Sequence, residues 1–378
     1  MQKIFDSAAM AALALAALVV CALALFVGTT AARAQELTIE TGFIDVTVFG
    51  SAAKLDTIVI KRSDLTGRLP VAMITHGVAR NAQENAALTT NVFRSQAIDM
   101  ALRGYLAVGV IRRGFGQSSQ FSPPPNGCAS SRPGFLPTFQ NAAAEIDAAK
   151  RVVVQRPDAD PAKIVGIGVS VGGGTMLAWA AMKPEGLLAV VNVSGGSGSQ
   201  ATNSHCDEPA LVSAFGTFGA AAVVPTIWFY AANDGFFFPS LVDRMHAAYT
   251  GRGGKAERHA LGAIGNEGHF IWSLSDGRQI WLPLMDKFLV ANGLPTFDAE
   301  PVRRATSNLN AEAQAALQRY IEAPSNKVFM VSNAKGAPSM WRGANELDAA
   351  RKSGLENCER IHGEPCRVVF ENFRPVAR

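Results

Sequence analysis

Gly168-Val169-Ser170-Val171-Gly172 stands where an apolar, β-branched run (Lys163-Ile164-Val165-Gly166-Ile167) gives way to a helix-like run from Gly173 to Ala181. A strand that passes into a helix within so few residues needs one sharp turn. A Cβ two residues either side of the serine would collide with the neighbouring strand or helix, which is why glycine occupies both places. The serine is then held in a strained conformation with its hydroxyl lifted clear of the sheet, the G-x-S-x-G nucleophile elbow. A Gly-rich strand-to-helix turn also occurs without chemistry, so the nucleophilic reading of Ser170 depends on partners elsewhere in the chain.

A serine hydroxyl is a poor nucleophile until a base removes its proton, and the base needs an acid to hold its ring. After this elbow the expected order is acid, then histidine. His246 falls mid-helix in Asp243-Arg244-Met245-His246-Ala247, His259 lies inside an expected edge strand, and His205 precedes any suitable acid. His269 lies in Gly265-Asn266-Glu267-Gly268-His269-Phe270, a Gly-bracketed loop from which a base can reach the elbow. The acid is expected at Asp234, where Ile227-Trp228-Phe229-Tyr230 runs into Ala231-Ala232-Asn233-Asp234-Gly235; Glu267 and Asp207 are weaker alternatives. Acyl transfer also needs backbone N–H groups aimed at the developing oxyanion. Val171, after the nucleophile, should give one, and Val78, in the turn after His76-Gly77, the other; His76 is expected to orient that turn.

Strands come first along the chain, then alternation. Leu37 to Val48 and Asp56 to Ile60 pattern as paired antiparallel strands, Val71 to Thr75 and Tyr105 to Ile111 as buried ones, with a helix over 87–103 between them. After a Ser/Pro/Gly loop over 119–137, a helix is expected over 141–156, then the elbow strand. Further strands at 187–193, 224–230 and 256–261 alternate with helices, the last over 277–292, and an irregular insert spans 194–221. Such alternation implies a mainly parallel sheet flanked by helices, with the leading pair at its edge. Beyond a composition break near Pro295 to Ser307, a helix, a strand at 327–331, a helix over 346–361 and a strand at 366–370 read as a small α+β module of βαβ type. The expected boundaries are 1–34 for a leader, 35–298 for the α/β domain and 308–378 for the module.

The leader is Met1-Gln2-Lys3, an apolar run from Ala8 to Val27, and Ala32-Arg33-Ala34 as an A-x-A cleavage signal, which together read as a secretory signal peptide. No later segment is long and apolar enough to span a bilayer, so a secreted or periplasmic chain is expected. Of the 5 cysteines, Cys21 leaves with the leader, and an oxidising compartment favours disulfides among Cys128, Cys206, Cys358 and Cys366. Spacing favours Cys358–Cys366 across a short Gly/Pro loop, and hence Cys128–Cys206. No C-x-x-C pair or His/Cys cluster suggests a metal, and no cofactor is expected. A net charge of +4 without a Lys/Arg run gives nucleic-acid binding no support.

Taken together, His76-Gly77, Arg113-Gly114-Phe115-Gly116-Gln117-Ser118, the elbow with Gly172-Gly173, Asn233-Asp234 and Gly268-His269 resemble the α/β-hydrolase fold. Over roughly residues 38 to 295 the chain is similar to its dienelactone hydrolase-like branch. Dienelactone hydrolases proper carry a cysteine nucleophile, whereas Ser170 favours ordinary esters. The resemblance implies a serine esterase acting on a small-molecule or polymer ester through an acyl-enzyme. A serine peptidase with the same triad, and a non-catalytic envelope-binding protein on a hydrolase scaffold, are the competing readings. Phe236-Phe237-Phe238 reads either as an acyl-pocket wall or as core packing. The module lacks a nucleophile, base or acid cluster, so it is expected to dock to the envelope or another protein, or to stabilise the core.

Overall fold

The computed structural model describes residues 37–119, 128, 134–296, 309–323, 326–372 and 374–376. The apolar leader lies outside the described residues, as do most of the Ser/Pro/Gly loop after Ser118 and most of the break after Pro295. No described helix is long and apolar enough to cross a membrane.

β1 (Leu37–Val48) and β2 (Ser51–Arg62) form a long antiparallel hairpin. Its two turn residues, Phe49 and Gly50, both have positive φ, 49° and 78°, the geometry of a tight hairpin turn that matches strand twist. β3 (Leu69–Thr75), β4 (Leu106–Val110), β5 (Ala159–Val169) and β6 (Leu187–Val193) follow. After a short ribbon of β7 (Ser199–Ala201) and β8 (Ser204–His205) come β9 (Thr226–Ala231) and β10 (Ala256–Leu261). The sheet order is β1-β2-β4-β3-β5-β6-β9-β10, eight strands, parallel from β4 onward. This is the α/β-hydrolase fold.

Strand residues alternate between two cores, as a period of two requires. Ala72 and Ile74 pack on one face with Ile58, Ile167 and Phe229, while Val71 and Met73 pack on the other with Val59, Val108 and Trp228. The first face is covered by α2 (Arg94–Leu102) and α7 (Ser275–Ala291), the second by α3 (Phe135–Val153), α4 (Val171–Ala181), α5 (Glu208–Ala221) and α6 (Pro239–Thr250). The helix expected over 87–103 is broken: α1 (Ala82–Ala86) and a 3-10 turn at Thr90–Phe93 precede α2. Asn85 closes a side-chain ring on Ala79, accepting from its N–H at 2.8 Å and donating to its carbonyl at 3.0 Å. Asn81 caps α1, accepting from the Glu84 N–H at 2.7 Å, so these bonds start a short helix ahead of the expected stretch. α3 begins six residues before the expected Asn141, because Phe135 and Phe139 bury themselves and Pro137 sits in the first turn, where no N–H is needed.

The C-terminal residues form α8 (Ala311–Glu322), β11 (Val328–Ser332), β12 (Pro338–Trp341), α9 (Leu347–His362), β13 (Cys366–Glu371) and β14 (Arg374–Pro375). The sequence pattern shows strand, helix, strand; the structure adds β12 before the helix, which reverses the chain once more. β13 therefore pairs with β11 antiparallel, in a sheet ordered β12-β11-β13-β14, and the βαβ crossover gives way to an antiparallel α+β sheet. Ala313, Leu317, Tyr320, Phe329 and Phe370 belong to the same apolar cluster as Trp281, Met285 and Leu289 of α7. Lys327, fully buried, donates from Nζ to the carbonyls of Tyr320 and Ala323, both at 2.7 Å, closing the end of α8. Its ammonium is pushed well below the ordinary lysine range by burial, and further by Arg103. Disulfides join Cys128 to Cys206 and Cys358 to Cys366, with Cα–Cα distances of 5.6 and 6.1 Å.

Candidate active site

Ser170 is the single residue between β5 and α4, at φ 54° and ψ −124°, a region that costs on the order of 1–3 kcal/mol for a side chain with a Cβ. Backbone bonds hold it there: its N–H donates to Val193 at 3.0 Å, and its carbonyl accepts from Gly173 at 2.9 Å and Gly196 at 3.0 Å. A Cβ on Gly168 would lie 2.2 Å from the Gly172 oxygen, and one on Gly172 would lie 2.6 Å from the carbonyls of Thr75 and His76. A Cβ on Gly77 would meet Ser170 Cβ at 2.9 Å, so the turn after β3 packs directly on the serine side chain.

Asp234 follows β9 and His269 opens a short 3-10 turn (Gly268–Trp272) after β10, at the same end of the parallel sheet as Ser170. His269 Nδ1 lies 3.2 Å from Asp234 Oδ2, and the two side chains are nearly or wholly buried. The other carboxylate oxygen accepts from the N–H groups of Phe236 and Phe237, at 2.8 and 2.9 Å. Ser170 itself is 8 % exposed. Among the described residues no hydrogen bond joins Ser170 Oγ to the imidazole; such bonds are often long in resting geometry and tighten with substrate.

The loops carrying Asp234 and His269 are tied together. Glu267 Oε1 accepts from Gly235 at 2.8 Å and from the His269 N–H at 3.0 Å. Asn233 Oδ1 accepts from Ile264 at 2.9 Å, and its amide donates to the carbonyls of Ile264 and Gly265. Glu267, weighed above as a substitute acid, bridges the loops that carry Asp234 and His269. Its place two residues before the histidine was the available signal. Asp207, the other substitute, caps α5 by accepting from Ala210 at 2.9 Å.

The other histidines ahead of the C-terminal module are engaged elsewhere. His246 meets the Ala256 carbonyl at 3.1 Å and packs edge-on against Trp228. His259 pairs with Glu257 at 2.6 Å and stacks on Phe229. His205 bonds the Ser197 carbonyl and accepts from the Asp207 N–H. His76 accepts the Arg112 N–H on Nε2 at 3.1 Å and donates from Nδ1 to the Gly77 carbonyl at 2.6 Å. Burial and the Arg112 guanidinium hold its imidazole well below the ordinary range.

A cavity of about 370 Å³ opens beside the elbow, lined among others by Val78, Val171, Arg80, Phe115, Arg113 and Glu145. Val78 and Val171 both line this cavity, Val171 as the first residue of α4, where a helix N–H has no partner within the helix. Arg113 and Glu145 form a buried pair, Nε to Oε1 at 3.1 Å and backbone N–H to Oε2 at 2.8 Å. Burial raises the Glu145 carboxyl, against the bonds from Arg113. Arg112 donates to Thr75 Oγ1 and the His76 carbonyl, both at 2.7 Å, and burial lowers it to about 10. Among the described residues no group of three His, Cys, Asp or Glu side chains could hold a metal ion.

No family model and no curated protein matches the chain. Among solved structures it is similar to an acetyl xylan esterase from Paenibacillus sp. R4 (15 % identity, TM-score 0.48, 69 % of this chain and 85 % of that one). It is also similar to a dienelactone hydrolase-like promiscuous phosphotriesterase from metagenomic libraries (14 %, 0.44, 76 % and 97 %). A Pyrococcus horikoshii acylaminoacyl peptidase matches at 17 % identity and TM-score 0.48, over 69 % of this chain and 43 % of its own length.

Proposed function

We propose that the chain is an exported serine esterase that cleaves a carboxylic ester of a small molecule or polymer. Ser170 Oγ attacks the ester carbon while His269 Nε2 takes its proton, and Asp234 holds the imidazole and balances the charge it gains. The N–H groups of Val171 and Val78 receive the oxyanion of the tetrahedral intermediate. His269 then returns the proton to the departing alcohol, leaving an acyl group on Ser170. Water, deprotonated by the same imidazole, releases the acid. The observation that carries this reading is the buried His269–Asp234 bond at the strand ends beside a serine held at φ 54°. Export is supported by the leader pattern and by two cysteine pairs at disulfide distance.

A fluorophosphonate should label Ser170 and no other serine, and the protein should turn over short p-nitrophenyl esters but not aminoacyl p-nitroanilides. Ser170→Ala and His269→Ala should each lower kcat by about a thousandfold or more, whereas His246→Ala and His259→Ala stay within a few-fold of wild type. Amide turnover would make the chain a peptidase; silence on both substrates, a binding protein. Equal loss in all three histidine variants would put the base elsewhere.

A further inference from the structure

The Phe236 ring lies parallel to the His269 imidazole, with centroids 4.0 Å apart and an interplanar angle of 10°. The Arg80 guanidinium lies 3.7 Å from the Phe236 centroid. A ring face holding one planar group at that distance has no room for a second, so arginine and histidine occupy opposite faces. Arg80 is itself tethered, donating from Nη2 to Ser199 Oγ at 2.7 Å. The Phe236 backbone N–H donates at 2.8 Å to Asp234 Oδ1, while His269 meets Asp234 Oδ2. Phenylalanine, imidazole and carboxylate thereby close a circuit: the acid fixes the backbone of the residue whose ring fixes the plane of the base.

We propose that Phe236, clamped by Arg80, is a positioning residue for the base. Its ring keeps the imidazole in the plane that directs Nδ1 at Asp234 and Nε2 at Ser170. Phe237 touches His269 only by an edge, at 5.4 Å and 62°, and leaves that plane free to rock about the Cβ–Cγ bond. A wall of the substrate pocket, another use of a half-buried aromatic here, would need no parallel registry with the histidine. The inference rests on the esterase reading for its kinetic arm alone.

The test compares wild type, Phe236→Leu, Phe236→Tyr and Arg80→Ala. For Phe236→Leu, kcat on a short p-nitrophenyl ester should fall ten- to a hundredfold with KM within threefold. Phe236→Tyr, which restores a ring, should return kcat to within threefold of wild type, and Arg80→Ala should lie between. The downfield proton resonance of His269 Nδ1 should be sharp in wild type and Phe236→Tyr but broadened by solvent exchange in Phe236→Leu. An unchanged kcat with a sharp resonance in Phe236→Leu overturns the proposal. A raised KM at constant kcat also overturns it, making the residue a pocket wall. If wild type fails to label at Ser170, the esterase reading falls, yet the resonance still decides whether Phe236 holds the ring.

Discussion

His76 sits on the turn that packs against Ser170, and it has no nitrogen to spare for catalysis. Nδ1 donates to Gly77 and Nε2 accepts from Arg112, so the ring is neutral by its bonding as well as by its burial. An unfolded chain takes up a proton there near the ordinary value of 6.5; the folded chain does so only well below it. Between those two values the unfolded state binds more protons, so this residue makes the fold less stable as pH falls through that window and has no such effect above it. His76→Gln should lower the melting temperature at pH 7.5 yet flatten its decline from pH 6.5 to 4.5. Melting curves across that range check this, and an unaltered slope would assign the acid sensitivity elsewhere. Ser170, Asp234 and His269 were legible because each occupies a place that the strand-and-loop pattern singles out. The second layer was not. Nothing in a sequence says that Phe236 faces an imidazole, that Arg80 lies behind it, or that Glu267 accepts from two loops at once; these depend on side-chain directions that only the packed fold sets.

Between residues and the molecule lie the elements, and there the two disulfides differ in kind. Cys358–Cys366 spans a separation of 8 and clips the last turns of α9 to the start of β13, whereas Cys128–Cys206 spans 78 and ties the loop after β4 to the ribbon before α5. Closing loops of those sizes removes about 2.5 and about 4.5 kcal/mol of unfolded-state entropy in the chain-entropy account. Replacing both members of the longer bridge by serine should therefore cost more stability than replacing both members of the shorter one, as read by denaturant unfolding; the reverse order would refute this. Most strands with β-branched runs were read within two residues of where they form, whereas β2 and β5 begin five and four residues earlier than expected. The failures share one cause: short polar side chains or proline decide the outcome locally. Asn81 and Asn85 set a short extra helix, α1, ahead of the stretch expected over 87–103, Pro137 lies in the first turn of α3 where the sequence reads as a loop, and Pro338 disguises β12.

For the whole molecule, the decisive fact is that α8 and the antiparallel sheet lend Leu317, Tyr320, Phe329 and Phe370 to the cluster that also holds α7. An ion pair and a hydrogen bond cross the same contact: Arg94 meets Glu346 at 2.6 Å, and Arg342 donates to the Gln279 side chain of α7. Truncation after Asn292 should strip this face and leave Trp281, Met285 and Leu289 short of partners. Burying a large apolar side chain is worth about 1.5–3 kcal/mol, so losing several should give an insoluble chain or one with a melting temperature lowered by ten degrees or more. A soluble truncation with wild-type ester turnover would favour an independent docking module. The same shared cluster has a consequence for how the chain is made. Ile58 and Phe370 are members of one core, so no nascent fragment holds that core complete. A ribosome that has already delivered Ser170, Asp234 and His269 must still supply the residues around Phe370 before that side of the sheet can shed its water.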